Sequence, residues 1–145
     1  MLKRSLFRSP SSLAHLFALV GVVAGILLAG PVRAGDTTPA QQLDRFVAQA
    51  GVPANADRGK AFFNARHGGE WSCSSCHGNP PVKTGQHAST GKEIASLAPA
   101  FNAKTFIDSA RVDKWFRRNC NDVLSHECSA TEKADVLAWL ISLKP

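Results

Sequence analysis

"CSSCH", residues 73–77, is the stretch on which the reading of this 145-residue chain turns. Two cysteines three apart, followed at once by a histidine, form the pattern of covalent c-type haem attachment. The spacing follows from the chemistry. Two thiols add to the two vinyl groups along one edge of a porphyrin, and the next residue brings an imidazole beneath the iron as axial ligand. Cys73 and Cys76 are therefore the expected thioether residues and His77 the proximal ligand, with one haem c as cofactor. The other ring nitrogen of His77 should donate to a backbone carbonyl, with residues 79–81 or Pro99 as suppliers. Other readings of the motif fare worse. A redox CxxC belongs in a βαβ context, which is absent. A zinc site would need a further ligand at zinc spacing. A Cys73–Cys76 disulfide would be strained at that separation.

Upstream, "MLKRSLFR" carries Lys3, Arg4 and Arg8, an apolar run fills residues 13–30, and "PVRA" puts Val32 and Ala34 at the −3 and −1 positions of a cleavage site. That is the pattern of a secretory signal peptide over residues 1–34, removed after Ala34. It leaves residues 35–145 as a cytochrome c domain in the periplasm. The competing reading is an uncleaved anchor, since the run is near the lower length for a membrane span. Of the 17 basic residues, four (Lys3, Arg4, Arg8, Arg33) lie in the leader and none of the 11 acidic ones do, leaving 13 against 11, a net charge of +2. The high isoelectric point belongs largely to the leader, so nucleic acid is not an expected partner.

The domain reads as all-α. A first helix is expected in "TTPAQQLDRFVAQAG", with Thr38 as N-cap, Pro39 at the first position, Leu43, Phe46, Val47 and Ala50 as apolar stripe, and Gly51 as stop. A second runs from about Asn55 to His67, ended by Gly68 and Gly69. The Gly-, Pro- and Ser-rich segment around CSSCH reads as loop with a turn of helix at the cysteines. A third long helix is expected from about Asp108 to Asn121, and a last one in "SATEKADVLAWLISL", where Ser129 and Glu132 have capping-box spacing. Its expected buried face is Val136, Leu137, Leu140 and Ile141. Gly59 and Phe63 form G-x-x-x-F before the haem motif, an arrangement resembling class I cytochromes c, whose first and last helices cross closely at the glycine. Three to four helices around one covalently bound haem is the expected architecture.

The sixth iron ligand is the open question. The only methionine is Met1, and the chain has no tyrosine, which removes thioether and phenolate. His67, His87, His126, a lysine, a free cysteine, an asparagine or an open site remain. Val112, Trp115, Phe116, Asn119 and Val123 share one helix face, which leaves Asn119 inside an apolar stripe. A buried unpaired amide costs roughly 1–3 kcal/mol, so it needs a partner. That partner is either a backbone group near the helix end or iron. His87, in a Gly/Ser/Thr-rich loop, is the rival ligand; His67 reads as a helix terminator and His126 as a solvated loop residue. Cys120 and Cys128 read as a disulfide, since neither begins another CxxCH and export favours the bond.

"GDTTPAQ", "RGKAFF", "CSSCHG", "TGKEIASLAP", "DSARVDKWFRRNCNDVL" and "EKADVLAWL" together resemble the sphaeroides haem protein family, small exported class I-like cytochromes c that bind oxygen. The resemblance runs over nearly all of residues 35–145, with one departure at "CSATEK", where Thr-Pro is expected near the helix start. It implies that Asn119 is the sixth ligand, that Cys120 and Cys128 pair, and that the asparagine leaves the iron on reduction so that oxygen or nitric oxide binds. It also implies a dihaem cytochrome c and a membrane cytochrome b as electron donors. The reading is an electron-accepting, gas-binding protein rather than a dedicated enzyme. The alternatives are a plain electron carrier with His87 as fixed sixth ligand, or a weak peroxidase or oxygen-reducing enzyme, for which no acid–base pair for O–O cleavage is evident.

Overall fold

The computed structural model describes residues 37–145. The expected signal segment, with its cleavage point after Ala34, lies outside them. Five helices and one minimal strand pair follow in order: α1 (Pro39–Ala50), α2 (Ala56–Asn64), α3 (Cys73–His77), β1 (Gly85–Gln86), β2 (Glu93–Ile94), α4 (Ser109–Leu124) and α5 (Ala130–Ser142). No helix among the described residues is long and apolar enough to cross a membrane.

Helix starts follow the local sequence signals closely. Thr38 and Gln41 cap α1 reciprocally, Pro39 opens it, and Gly51 closes it at φ 68°. Asp108 caps α4, its carboxylate accepting from the Arg111 amide at 2.8 Å. Ser129 and Glu132 form the expected capping box on α5. Helix ends depart from expectation. α2 stops at Asn64, short of His67: the chain leaves the helix at Ala65 in an extended conformation (φ −79°, ψ 147°), and His67 then enters the left-handed region at φ 52°. The His67 ring then donates to the Phe62 carbonyl (2.8 Å), so it does act as a terminator. α4 continues to Leu124, three residues beyond Asn121, and ends at Ser125 with φ 62°.

α5 is the centre of the molecule. It buries Ala134, Val136, Leu137, Trp139 and Leu140 because α1 packs on one side of it and α2 on another. Phe46 and Val112 join Ala134 and Leu137 in one apolar cluster; Phe63 joins Val136, Trp139 and Leu140 in a second. Each such side chain contributes roughly 1.5–3 kcal/mol by burial. Phe106 packs against both clusters, so they form one continuous core. The helix that crosses α5 at the glycine is α2, the one before the haem motif, as G-x-x-x-F led us to expect. A Cβ on Gly59 would overlap the Asp135 carbonyl and lie 2.7 Å from the Val136 nitrogen. Asp135 itself is buried, at 2% exposure, on an otherwise apolar helix. Its carboxylate accepts from the Asn55 amide (2.7 Å) and from both Nε and Nη2 of Arg58, which ties the start of α2 to α5. A buried carboxylate is tolerated only when paired in this way.

Candidate haem site

In α3 the positions i, i+3 and i+4 lie on one side of the helix, which places Cys73, Cys76 and His77 together. Such a short helix needs a cap, and Ser72, just before the first cysteine, and Ser75, between the two cysteines, supply it. Ser72, 5% exposed, accepts from the Ser75 amide, while Ser75 Oγ accepts from the Ser72 amide (3.0 Å). Ser74 Oγ lies 2.8 Å from Ser72 Oγ. Gly78, at φ 79°, ends the helix.

The β1–β2 hairpin holds α3 from the other direction. Gly85 sits so close that a Cβ would overlap the Cys76 carbonyl and lie 3.0 Å from His77 Cα. The Ala88 amide donates to Cys76 Sγ at 3.3 Å. From its sequence this segment reads as loop, because the pairing of Gly85 with Ile94 and Gln86 with Glu93 is too short to show as alternation.

Both cysteines of the motif are free and half-buried, and burial pushes the Cys73 thiol up to about 11. Cys73 packs against the Phe63–Trp139–Leu140 cluster. Burial, with a smaller contribution from His87, lowers the His77 pKa, so its imidazole is held in the neutral form that ligates metals. The expected carbonyl partner of His77 is not present. Nδ1 is buried without a hydrogen bond. Three of the four candidate carbonyls are engaged elsewhere: Pro80 accepts from Val82, Pro81 from Leu97 and Ala98, and Pro99 from Asn102. Two free thiols and an under-satisfied neutral imidazole on one helix face, beside an apolar wall, are a donor set that fits a covalently bound haem. Among the described residues, no three His, Cys, Asp or Glu side chains gather as they would around a bare metal ion.

α4 stands apart from this cluster and shares no extensive backbone contact with α3 among the described residues. Its first half is anchored to α1. Val112 is buried beside Phe46, Phe116 meets Phe46 edge-on at 5.4 Å, and Asp113 pairs with Arg45 at 2.7 Å. Its end is held by the Cys120–Cys128 disulfide, Cα–Cα 5.6 Å, as expected. Asn119 lies between these anchors, half-buried, and its side chain makes no hydrogen bond among the described residues. Asn121 and Asn64 do what a helix asparagine ordinarily does, each donating to the carbonyl four residues back at 2.8 Å. Trp115 departs from the expected inward stripe: it is 44% exposed. His126 is exposed and bonds only the Glu127 carbonyl. His87 lies on the hairpin beside α3, its Nδ1 3.2 Å from Ser89 Oγ.

Comparison with known proteins agrees with this architecture. Residues 49–140 match a family model described as a domain of unknown function, DUF1924. The chain is 50% identical over 123 residues to the cytochrome c-type protein SHP of Cereibacter sphaeroides, spanning 82% of this chain and 95% of that one. It is 44% identical over 88 residues to cytochrome c'' of Methylophilus methylotrophus, spanning 58% of this chain and 61% of that protein. The structure of oxidised SHP, described as an oxygen-binding cytochrome c, superposes with a TM-score of 0.70 at 49% identity, over 75% of this chain and all of that one. A solution structure of cytochrome c'', concerned with haem-ligand detachment, superposes with a TM-score of 0.62 at 36% identity, over 74% of this chain and 94% of that one. With CSSCH on a capped turn beside an apolar wall and half of 123 aligned residues identical in SHP, the chain belongs to the sphaeroides haem protein family, monohaem c-type cytochromes of all-α fold.

Proposed function

We propose that this protein is an exported, periplasmic cytochrome that accepts electrons and takes a diatomic ligand, O2 or NO, on the distal side, where Asn119 is a sixth ligand lost on reduction. The haem supplies the redox couple and the iron that the gas binds. The chain's own residues do the rest. Cys73 and Cys76 hold the group by thioether bonds, and His77 presents a neutral imidazole from the proximal side. Asn119 offers a neutral amide oxygen, a hard and weak donor that favours the ferric over the ferrous state. Once displaced, its amide N–H groups can donate to a bound gas. Phe116, one turn before the amide-bearing turn and packed on Phe46, helps keep water out.

The observation that carries this reading is the unengaged side chain of Asn119, half-buried on a helix that leaves α3 uncovered. Likeness to cytochrome c'', whose solution structure concerns haem-ligand detachment, supports it. In the ferric protein, visible and EPR spectra should report a weak-field sixth ligand that Asn119→Ala removes, and the ferrous protein should bind O2 or NO. One observation favours a second reading: His87 is near enough to act on His77. In that reading His87 is a fixed ligand and the protein is a plain electron carrier. A low-spin bis-histidine spectrum, unchanged by Asn119→Ala and lost in His87→Ala, would overturn the first reading. The electron donors are proposed to be a dihaem cytochrome c and a membrane cytochrome b.

A further inference from the structure

Gln42 and Phe46, one turn apart, are the fully buried residues of α1. A glutamine at 1% exposure beside a phenylalanine needs a reason, because a buried amide is costly unless it is bonded. Gln42 is bonded completely. Its Nε2 donates to Thr37 Oγ1 (3.1 Å) and to Ser109 Oγ (2.5 Å). Its Oε1 accepts from Nε (3.0 Å) and Nη2 (2.7 Å) of Arg45. Both donors and both lone pairs are thus in use. Arg45 reaches on to Asp113, Nη2 to Oδ1 at 2.7 Å and Nη1 to Oδ2 at 3.3 Å. Two members of this network belong to α4: Ser109, its first residue, and Asp113, one turn later. α1 and α4 share no extensive backbone contact among the described residues, so side chains carry the link between them.

We propose that Gln42 is a positioning residue for the distal ligand: through Ser109 and Arg45 it sets the roll and tilt of α4, and so the direction in which Asn119 presents its amide. The proposal rests on the reading of Asn119 given above. The Cys120–Cys128 bond fixes one point of α4, next to Asn119. A single tie leaves a rigid helix free to roll about its axis and to tilt about that point. A side-chain tip lies about 5–6 Å from the axis, so a roll of about 10° carries it about 1 Å. The apolar contacts of Val112 and Phe116 with Phe46 resist separation of the helices but not sliding, since burial has no preferred direction. Hydrogen bonds have one, and they weaken steeply away from it. Polar ties at Ser109 and Asp113, a turn apart on one side of α4, therefore hold its roll. A weak neutral donor such as an amide oxygen loses its hold when misplaced by that much.

The test is imidazole binding to the ferric holoprotein, followed by visible spectra. Imidazole must displace Asn119, so its apparent affinity rises as the ligated fraction of Asn119 falls. Gln42→Leu keeps the bulk and removes all four bonds; it should tighten imidazole binding about 10-fold. Gln42→Glu should stay within about 2-fold of wild type, because the hydroxyls of Thr37 and Ser109 can donate to a carboxylate and Arg45 still pairs with it. Asn119→Ala should tighten binding at least as much as Gln42→Leu, and adding Gln42→Leu to it should bring no further change, as expected for residues that act through one another. Asn55→Ala removes the cap of α2 and has no link to α4; it should lower the thermal midpoint and leave the affinity alone. Ferrous NO association, which follows loss of Asn119, should be equal in Gln42→Leu and wild type. If Gln42→Leu fails to fold, Ser109→Ala cuts a single tie and should shift the affinity in the same direction. Wild-type affinity in Gln42→Leu, with tightened binding in Asn119→Ala, would overturn the proposal and leave Asn119 as ligand. So would equal tightening in Asn55→Ala, which would mark lost stability rather than lost position. Affinity unaltered by Asn119→Ala would remove the ligand reading, and the proposal with it.

Discussion

At the scale of single residues, two effects compete at Gly59. Helix propensity favours alanine over glycine by about 1 kcal/mol in a helix interior. Against it stands the backbone of α5, since a Cβ would overlap the Asp135 carbonyl and lie 2.7 Å from the Val136 nitrogen. Backbone atoms inside a helix cannot step aside as a flexible side chain can, so the clash wins. Gly59→Ala should lower stability by about 1–3 kcal/mol, measured by denaturant unfolding of the holoprotein; a stabilised variant would show that the helices separate freely. G-x-x-x-F was readable in the sequence as a crossing. The carboxylate of Asp135 on the other side was not, because its three partners come from residues about 80 positions away. The same contrast holds at the haem motif. Covalent attachment follows from five consecutive residues, whereas the missing partner of His77 Nδ1 depends on where Pro80, Pro81 and Pro99 send their carbonyls.

Elements show why α4 needs a covalent tie. Its first half is held by Val112, Phe116 and the Arg45–Asp113 pair, whereas in its second half the buried residue is Cys120. The Cys120–Cys128 bond anchors that half to the start of α5. Closing so short a loop stabilises by roughly 2–3 kcal/mol in the chain-entropy picture. Cys120→Ser/Cys128→Ser should therefore lose about that much stability, and should broaden the ferric spectrum if Asn119 is positioned by the tie. An unchanged ferric spectrum and unchanged gas-binding rates in the double variant would show that α4 positions Asn119 unaided. The core offers a comparison: Leu137→Ala, at a fully buried site between α1 and α5, should cost about 2–5 kcal/mol through the cavity it leaves. Caps were legible in advance because each is settled within one turn of chain. Helix ends were less so, since Ala65 leaves α2 in an extended conformation and Ser125 closes α4 in a left-handed turn, choices that residue type alone leaves optional.

For the whole molecule, the expectation is an exported domain of residues 35–145 with one haem. Intact mass of the protein recovered from the periplasm should equal that segment plus a single covalent haem, with Gly35 at its N-terminus; a retained leader would support a membrane anchor instead. By itself the sequence determined the helical class, the haem attachment and the family, because these rest on short-range spacing that survives any packing: CxxCH within five residues, caps within four, the crossing glycine within one helix. Tertiary structure alone decided which faces those helices show. Trp115 and Val112 belong to one predicted apolar stripe, yet α1 covers Val112 and leaves Trp115 to solvent among cations. Helical periodicity places residues on a side of a helix; only the neighbouring helices determine how wide a strip of that side is covered.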